Sequence, residues 1–392
     1  VNRRNLILLA TGYFFVLFNY PLVRASSTTF FVEAYGAKAS PQGWLVAVFL
    51  LIIAVTLTNA LQARQGFQRT FSIVSCASVA LFTASYWAYQ QGIREGAFVL
   101  FAWKEVYIVL QVHLFLAYTN AWLSRDDFKR WIGPIGAMGS LGGVLGGMLT
   151  TWWARDFGTG MTLLLGQLFV FLPAAIGLFL VRVETQVTPE SPTTPLSSLN
   201  TVAIRRYVAC IAGLVALSQI VINIADFQFS LAFEAAISSA SERTAYLGHL
   251  YTAQNALTLV LQLAVLPVLL RVISERTLHL FIPLSYLICL AFGLSGSMLT
   301  ATAILFTYLK ASDYSLFSAG KELLYQSLAP LQKYGAKYLT DMFVYRTAKA
   351  GIAAVLIYFQ SPEMLLGMMT LALLAWPVLV WVTFSQYRRI FS

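Results

Sequence analysis

Apolar runs of about twenty residues recur along the whole chain, separated by short polar stretches that carry Lys and Arg. Twenty residues is the length a helix needs to cross a ~30 Å hydrocarbon core. The pattern predicts twelve spans, near 5–31, 43–61, 70–90, 96–122, 133–153, 160–181, 206–233, 245–270, 277–297, 300–325, 335–358 and 363–385. A membrane β-barrel would show short segments of alternating polarity instead. The expected fold class is therefore an all-α polytopic membrane protein. One long polar stretch, VRVETQVTPESPTTPLSSLNTVAIRR, straddles the midpoint, and its Pro, Ser and Thr content reads as a linker. The predicted organisation is an N-terminal six-helix bundle (1–182), a cytoplasmic linker (183–204) and a C-terminal six-helix bundle (205–392).

Composition supports this reading. Of 392 residues 58% are hydrophobic and 11% charged, against about a quarter charged in soluble proteins. The net charge of +10 would suggest a nucleic-acid partner in a soluble chain. Here it is loop charge that sets topology, so the lipid bilayer and not a nucleic acid polymer is the expected partner. With both termini inside, sixteen Lys/Arg fall in cytoplasmic segments, and only Lys38, Arg94, Arg155 and Arg243 fall outside. The expected location is a bacterial inner membrane, with both ends cytoplasmic and no cleavable leader. Cys76, Cys210 and Cys289 lie in spans and read as packing residues. His113, His249 and His279 are scattered, and no HExxH, Walker pattern or nucleophile motif is present. No enzyme, metal or cofactor is expected. The glycines of span five, from Gly133 to Gly147, recur at spacings of three and four, which lets helices approach closely.

The halves resemble each other. NYPLVRASSTTFFVE in span one parallels NIADFQFSLAFE in span seven, and WKEVY through FKRW parallels LKASDY through LQKYGAK. Twelve spans in two pseudo-repeated halves is the plan of the major facilitator architecture, whose halves rock around a midplane site.

Charges at bilayer depth are costly, so they face a protein interior or a wet cavity. The helical period groups Tyr13, Tyr20, Arg24, Ser27 and Phe31 on one face of span one, where Pro21 is expected to bend the helix. It groups Lys104, Tyr107, Gln111 and Tyr118 on span four, with Glu105 at the edge. Span seven carries Gln219, Asn223, Asp226 and Ser230; span eight carries Tyr251, Gln254, Asn255, Thr258 and Gln262. On span ten Lys310, Asp313 and Lys321 share a face, with Glu322 beside it, and Arg346 and Lys349 extend a basic lining on span eleven. The candidate solute-binding set is Tyr20, Arg24, Lys104, Glu105, Asn223, Asp226, Gln254, Lys310, Asp313, Lys321, Glu322 and Arg346. Its cations suit a phosphate or carboxylate. The competing reading makes these charges local pairs that hold helices together: Lys104 with Glu105, Lys310 with Asp313, Lys321 with Glu322, Arg346 with Asp341. Asp341 is otherwise expected at a cytoplasmic gate.

FNYPLVRASSTTFFVEAYGAKASP, KEVYIVLQVHLFLAYTNAW, FKRWIGPIGAMGSLGG, DFQF, and KELLYQ with KYGAKYLTDMFVYR, in that order, resemble motifs of the nucleotide translocases, the ATP/ADP antiporter family. The resemblance covers most of the chain. It implies that Arg24, Glu105, and Lys333 or Lys337 matter for transport. It departs from the family at the span-one Arg-x-x-Lys-Asp motif, where Ser27 and Thr28 replace the Lys and Asp.

The expected function is secondary transport of an anionic metabolite by alternating access, through exchange or ion coupling. A nucleotide such as ATP or ADP, or a related organic phosphate, is the leading substrate. Asp226, Glu105 or Glu322 is a candidate proton carrier if protons are the coupling ion. The alternatives are a proton-coupled major facilitator for a non-nucleotide solute, and a non-transporting membrane sensor or scaffold.

Overall fold

The computed structural model describes residues 2–181, 199, 201–293 and 297–391. Helix α1 is Arg3–Tyr35. The next helix, Ser40–Gln90, has 51 residues, about 75 Å at 1.5 Å per residue, more than twice a bilayer's apolar thickness. It divides into α2 and α3 at Gly66, whose φ of 75° only glycine adopts freely. Helix α4 is Glu95–Trp122. The 55-residue Arg125–Phe179 divides in the same way into α5 and α6 at Gly158, φ 82°. Both polar stretches expected as loops, LQARQGFQR and SRDDFKRW, are helical apart from Gly66 and Ser124. Ser124 caps α5 by accepting from the Asp127 N–H at 3.2 Å.

The second half continues with α7 (Val202–Ala236), α8 (Ala240–Val272) and α9 (Glu275–Gly293). Then come α10 (298–326), α11 (330–358) and α12 (Pro362–Phe391). The expected linker lies outside the described residues except at Leu199 and from Thr201 onward. Three helices contain a π turn: Leu261–Val265 in α8, Asp313–Phe317 in α10 and Tyr338–Val344 in α11. Each advances the helix phase relative to a regular 3.6-residue repeat. Pro21 leaves α1 helical throughout.

The chain divides into two compact units, Val1–Val187 with Glu234–Ala256, and Thr188–Phe233 with Leu257–Ser392. In the first unit α1 lies against α5 and α6 along a glycine seam. Gly142 and Gly146 face the carbonyls of Phe14 and Phe18, and Gly166 faces Leu22 and Val23. This is the small-residue contact that the span-five glycines predict. Asn5 is buried and ties three helix ends together: its amide donates to the Tyr118 hydroxyl at 3.0 Å, and its carbonyl accepts from the Val181 N–H at 2.8 Å. Glu234–Ala256 joins this unit through side-chain hydrogen bonds. The Ala37 N–H donates to Glu234 Oε2 at 2.8 Å, and Thr244 donates to Thr29 at 2.9 Å.

The second unit packs around Trp376, buried between Tyr286 and Phe317 with ring centroids 5.9 and 5.5 Å away. The Tyr207 hydroxyl reaches the Leu324 carbonyl at 2.9 Å and joins α7 to α10. In the same unit the Gln262 amide of α8 donates to the Tyr314 carbonyl at 3.0 Å, so the π turns of α8 and α10 are tied to each other.

Candidate solute site

In the first unit, Arg24 sits one turn after Tyr20 on α1 and is half-buried. Its guanidinium lies over two aromatic rings, Tyr20 at 5.5 Å and Tyr251 of α8 at 4.3 Å to the centroids. Such stacking holds a planar cation while leaving its N–H edge to hydrogen-bond. Tyr20 in turn leans on Tyr107, 6.2 Å between centroids, and the Tyr107 hydroxyl donates to Asn19 at 3.1 Å. Arg24, Tyr20, Tyr107 and Tyr251 thus form one group of side chains in an apolar span. Gln254, a turn beyond Tyr251, is buried on the same helix.

Lys104 is placed differently from its expected position on an open lining. It is 2% exposed; its Nζ lies 2.7 Å from Glu105 Oε1 and 3.9 Å from the Phe101 ring centroid. It has the geometry of a local pair backed by an aromatic ring. Ser27, where the nucleotide translocase motif has its Lys, is fully buried.

In the second unit, Asn223 is buried and its amide donates to the Gln219 carbonyl at 2.7 Å, one turn back on α7. Asp226 is half-buried one turn further on. Asp313 is 6% exposed and opens the α10 π turn, and its Oδ1 accepts from Ser218 Oγ of α7 at 2.7 Å. Lys310 lies with its Nζ 5.4 Å from the Tyr314 ring centroid.

The single face expected for Lys310, Asp313 and Lys321 does not hold across the π turn. Lys321 turns toward α11 instead, and its Nζ lies 2.6 Å from Asp341 Oδ1. The Tyr325 and Thr340 hydroxyls also reach that carboxylate, at 3.4 and 3.3 Å, and contact each other. Glu322 pairs with Lys337 at 2.7 Å. The local pair of Lys321 with Glu322 is therefore replaced by two bridges across the α10–α11 hairpin, and Asp341 is bridged to Lys321. Arg346 is half-buried just beyond the α11 π turn. Sequence reasoning missed Ser218 as the partner of Asp313, because at about 100° per residue Ser218 falls outside the polar stripe of span seven.

The Lys321–Asp341 bridge yields a stability prediction. Breaking a buried pair costs about 3–5 kcal/mol. Side chains 15% and 32% exposed are partly screened, which lowers the expectation to about 1–2 kcal/mol. Lys321→Met and Asp341→Asn each lower thermal stability, and the double variant loses less than their sum. Additive losses in melting scans of the four proteins would remove the bridge as a coupled pair.

No family model matches the chain, and no curated protein does. Solved structures do. The nucleoside transporter NupG matches with TM-score 0.70 at 12% identity, covering 99% of each chain. A D-xylose-proton symporter matches with TM-score 0.67 at 12% identity, covering 98% of this chain and 97% of its own. An auto-inhibited POT family peptide transporter matches with TM-score 0.66 at 13% identity, again covering 98% and 97%. The chain therefore has a major facilitator-like fold and is an all-α polytopic membrane protein. The resemblance to nucleotide translocases is narrower than this likeness, and its consequences are taken up below.

Proposed function

We propose that the chain is a secondary active transporter that moves an anionic metabolite by alternating access, with a nucleotide or related organic phosphate as the substrate. The observation that carries this reading is Arg24, a guanidinium held between Tyr20 and Tyr251 inside an apolar span. A fixed planar cation flanked by rings suits a solute with an acidic group and an aromatic or sugar body. The structures that share the fold are described as transporters of a nucleoside, a peptide and a pentose with protons. They support transport of a small polar solute rather than enzymatic chemistry. In such folds two bundles rock to expose a midplane site alternately. The order of the translocase-like motifs supports a phosphate-bearing solute. With Ser27 buried, Arg24 is the cation that α1 offers to the solute's acidic group. The Lys/Arg asymmetry of the loops supports a bacterial inner membrane with both termini cytoplasmic.

A second reading, a proton-coupled facilitator for a non-nucleotide solute, is favoured by the buried Asp313 and by the likeness to a pentose–proton symporter.

Ligand binding to the folded state raises its melting temperature by mass action, about 2.7 kcal/mol at one hundred times Kd. Purified protein in detergent is expected to be stabilised by ADP or ATP more than by adenosine or xylose. Stabilisation by the neutral solutes alone would overturn the anion reading.

A further inference from the structure

The segment Glu234–Ala256 lies past the midpoint of the chain, yet it belongs to the same compact unit as the first six helices. Beyond the hydrogen bonds already described, a close contact of α5 with α8 holds it there. Gly147 and Thr151 on α5, and Gly248 and Thr252 on α8, share the spacing Gly-x-x-x-Thr and meet reciprocally. A Cβ built on Gly147 would lie 2.9 Å from the Gly248 carbonyl oxygen, and one on Gly248 would lie 2.9 Å from that of Gly147. The Thr151 hydroxyl reaches across to the Ala245 carbonyl at 3.2 Å. Two glycine rows one residue apart thus set α5 between α1, at Gly142 and Gly146, and α8, at Gly143 and Gly147. Such rows let helix backbones approach closely.

Tyr251 is carried by this seam. At 100° per residue it falls about 60° from Gly248 around α8, on the edge of the face that meets α5. Its ring covers the Arg24 guanidinium of α1 at 4.3 Å. Two turns back along α8, the fully buried Thr244 donates to Thr29 of α1 at 2.9 Å and contacts Thr159 of α6 at 2.9 Å. Arg24 and Thr29 therefore meet Tyr251 and Thr244 in antiparallel register, and the Arg24–Tyr251 stack is part of the same closed contact.

We propose that Tyr251 couples the α5–α8 seam to the solute site: with the seam closed its ring backs Arg24 and strengthens the hold on the anion, and opening of the seam withdraws it. The proposal rests on the anionic-solute reading above and names the residue through which that site responds to the seam. Tyr251 is a positioning residue, acting through the guanidinium plane that its π face holds. A solute shifts an equilibrium between two states only by its difference in affinity for them. Tyr251 supplies such a difference, because the seam fixes it on α8 while Arg24 belongs to α1. By reciprocity, anion binding at Arg24 holds the seam closed.

The test uses the full-length protein carrying Thr244→Cys. Reaction of a water-soluble maleimide at position 244 reads opening of the seam, and the protein without that substitution gives the background from Cys76, Cys210 and Cys289. Without solute, Tyr251→Leu is expected to speed labelling about two- to thirtyfold, the range that a cation–π contact contributes. Tyr251→Phe, which keeps a ring, stays near the parent rate, and Arg24→Ala is fast like Tyr251→Leu. Equal rates in the parent, Tyr251→Leu and Arg24→Ala would overturn the coupling. ADP is expected to slow labelling of the parent and to leave the Tyr251→Leu rate unchanged; slowing that persists in full in Tyr251→Leu would also overturn it. Calorimetric titration with ADP closes the cycle. Gly248→Leu, which wedges the seam apart, weakens binding, and Gly248→Leu with Tyr251→Leu binds no more weakly than Tyr251→Leu alone. Additive losses, which two merely structural roles would give, contradict the proposal. If Gly248→Leu does not fold, the labelling rates decide by themselves. Absence of ADP binding to the parent would overturn the anionic-solute reading instead, while the solute-free rates still decide whether Tyr251 holds the seam.

Discussion

Arg24→Ala abolishes most anion binding while leaving the fold intact. Truncating one partner of a hydrogen-bonded charge pair costs about 2–5 kcal/mol, so affinity for ADP is expected to fall by about thirtyfold or more. The variant should still purify as a monodisperse protein, because Arg24 is only half-buried. Arg24→Lys should recover little, since an ammonium presents no planar fork and does not stack as a guanidinium does. Isothermal titration with ADP on wild type and both variants reads the effect. Equal affinities in wild type and Arg24→Ala would move the anion site away from α1.

The second large effect is on assembly. A Cβ built on Gly146 would collide with the Phe18 carbonyl, and one on Gly142 with that of Phe14. These neighbours are backbone atoms of α1, which cannot swing aside as a side chain can. Overpacking of this kind costs about 1–3 kcal/mol for an ordinary core contact. Here it also pushes α1 off α5, where close approach is the attraction itself. Gly146→Leu is expected to give protein that aggregates in detergent or melts well below wild type. Gly136→Ala is the control, because no atom lies within 4 Å of its Cβ position. It should be neutral, or stabilising by about 0.5–1 kcal/mol through the better helix propensity of alanine. Size-exclusion profiles and melting curves distinguish the two, and a well-behaved Gly146→Leu would mean that the seam is not close-packed.

Much of this fold was legible in the sequence because the bilayer imposes a length on each helix. Runs of about twenty apolar residues identify the long helices, seven of which among the described residues are long and apolar enough to cross a membrane, and the spacing of span-five glycines identifies the seam. What the helical period could not supply is the phase shift at the π turns, since Asp313–Phe317 and Tyr338–Val344 carry no breaker residue. Lys321 therefore fell on the wrong partner. Counting at 100° per residue put it with Lys310 and Asp313, whereas the structure gives it to Asp341. On α4 and α7 the residues grouped by the period, Lys104, Tyr107, Gln111 and Tyr118, and Gln219, Asn223 and Ser230, are buried. Period alone does not say whether a face looks into a cavity or into packed protein, so Lys104 was expected to be open and lies sealed over Phe101. The pairing of Arg24 with Tyr251 joins helices more than two hundred residues apart in the chain, and only the tertiary structure brings them together.

The most direct test of the account is uptake of radiolabelled ADP into proteoliposomes holding the full-length protein, compared with Arg24→Ala and with protein-free vesicles. The account predicts saturable uptake that Arg24→Ala loses. Failure of ADP, ATP, phosphate and dicarboxylates to enter faster than in protein-free vesicles, while a nucleoside or sugar does enter, would contradict it.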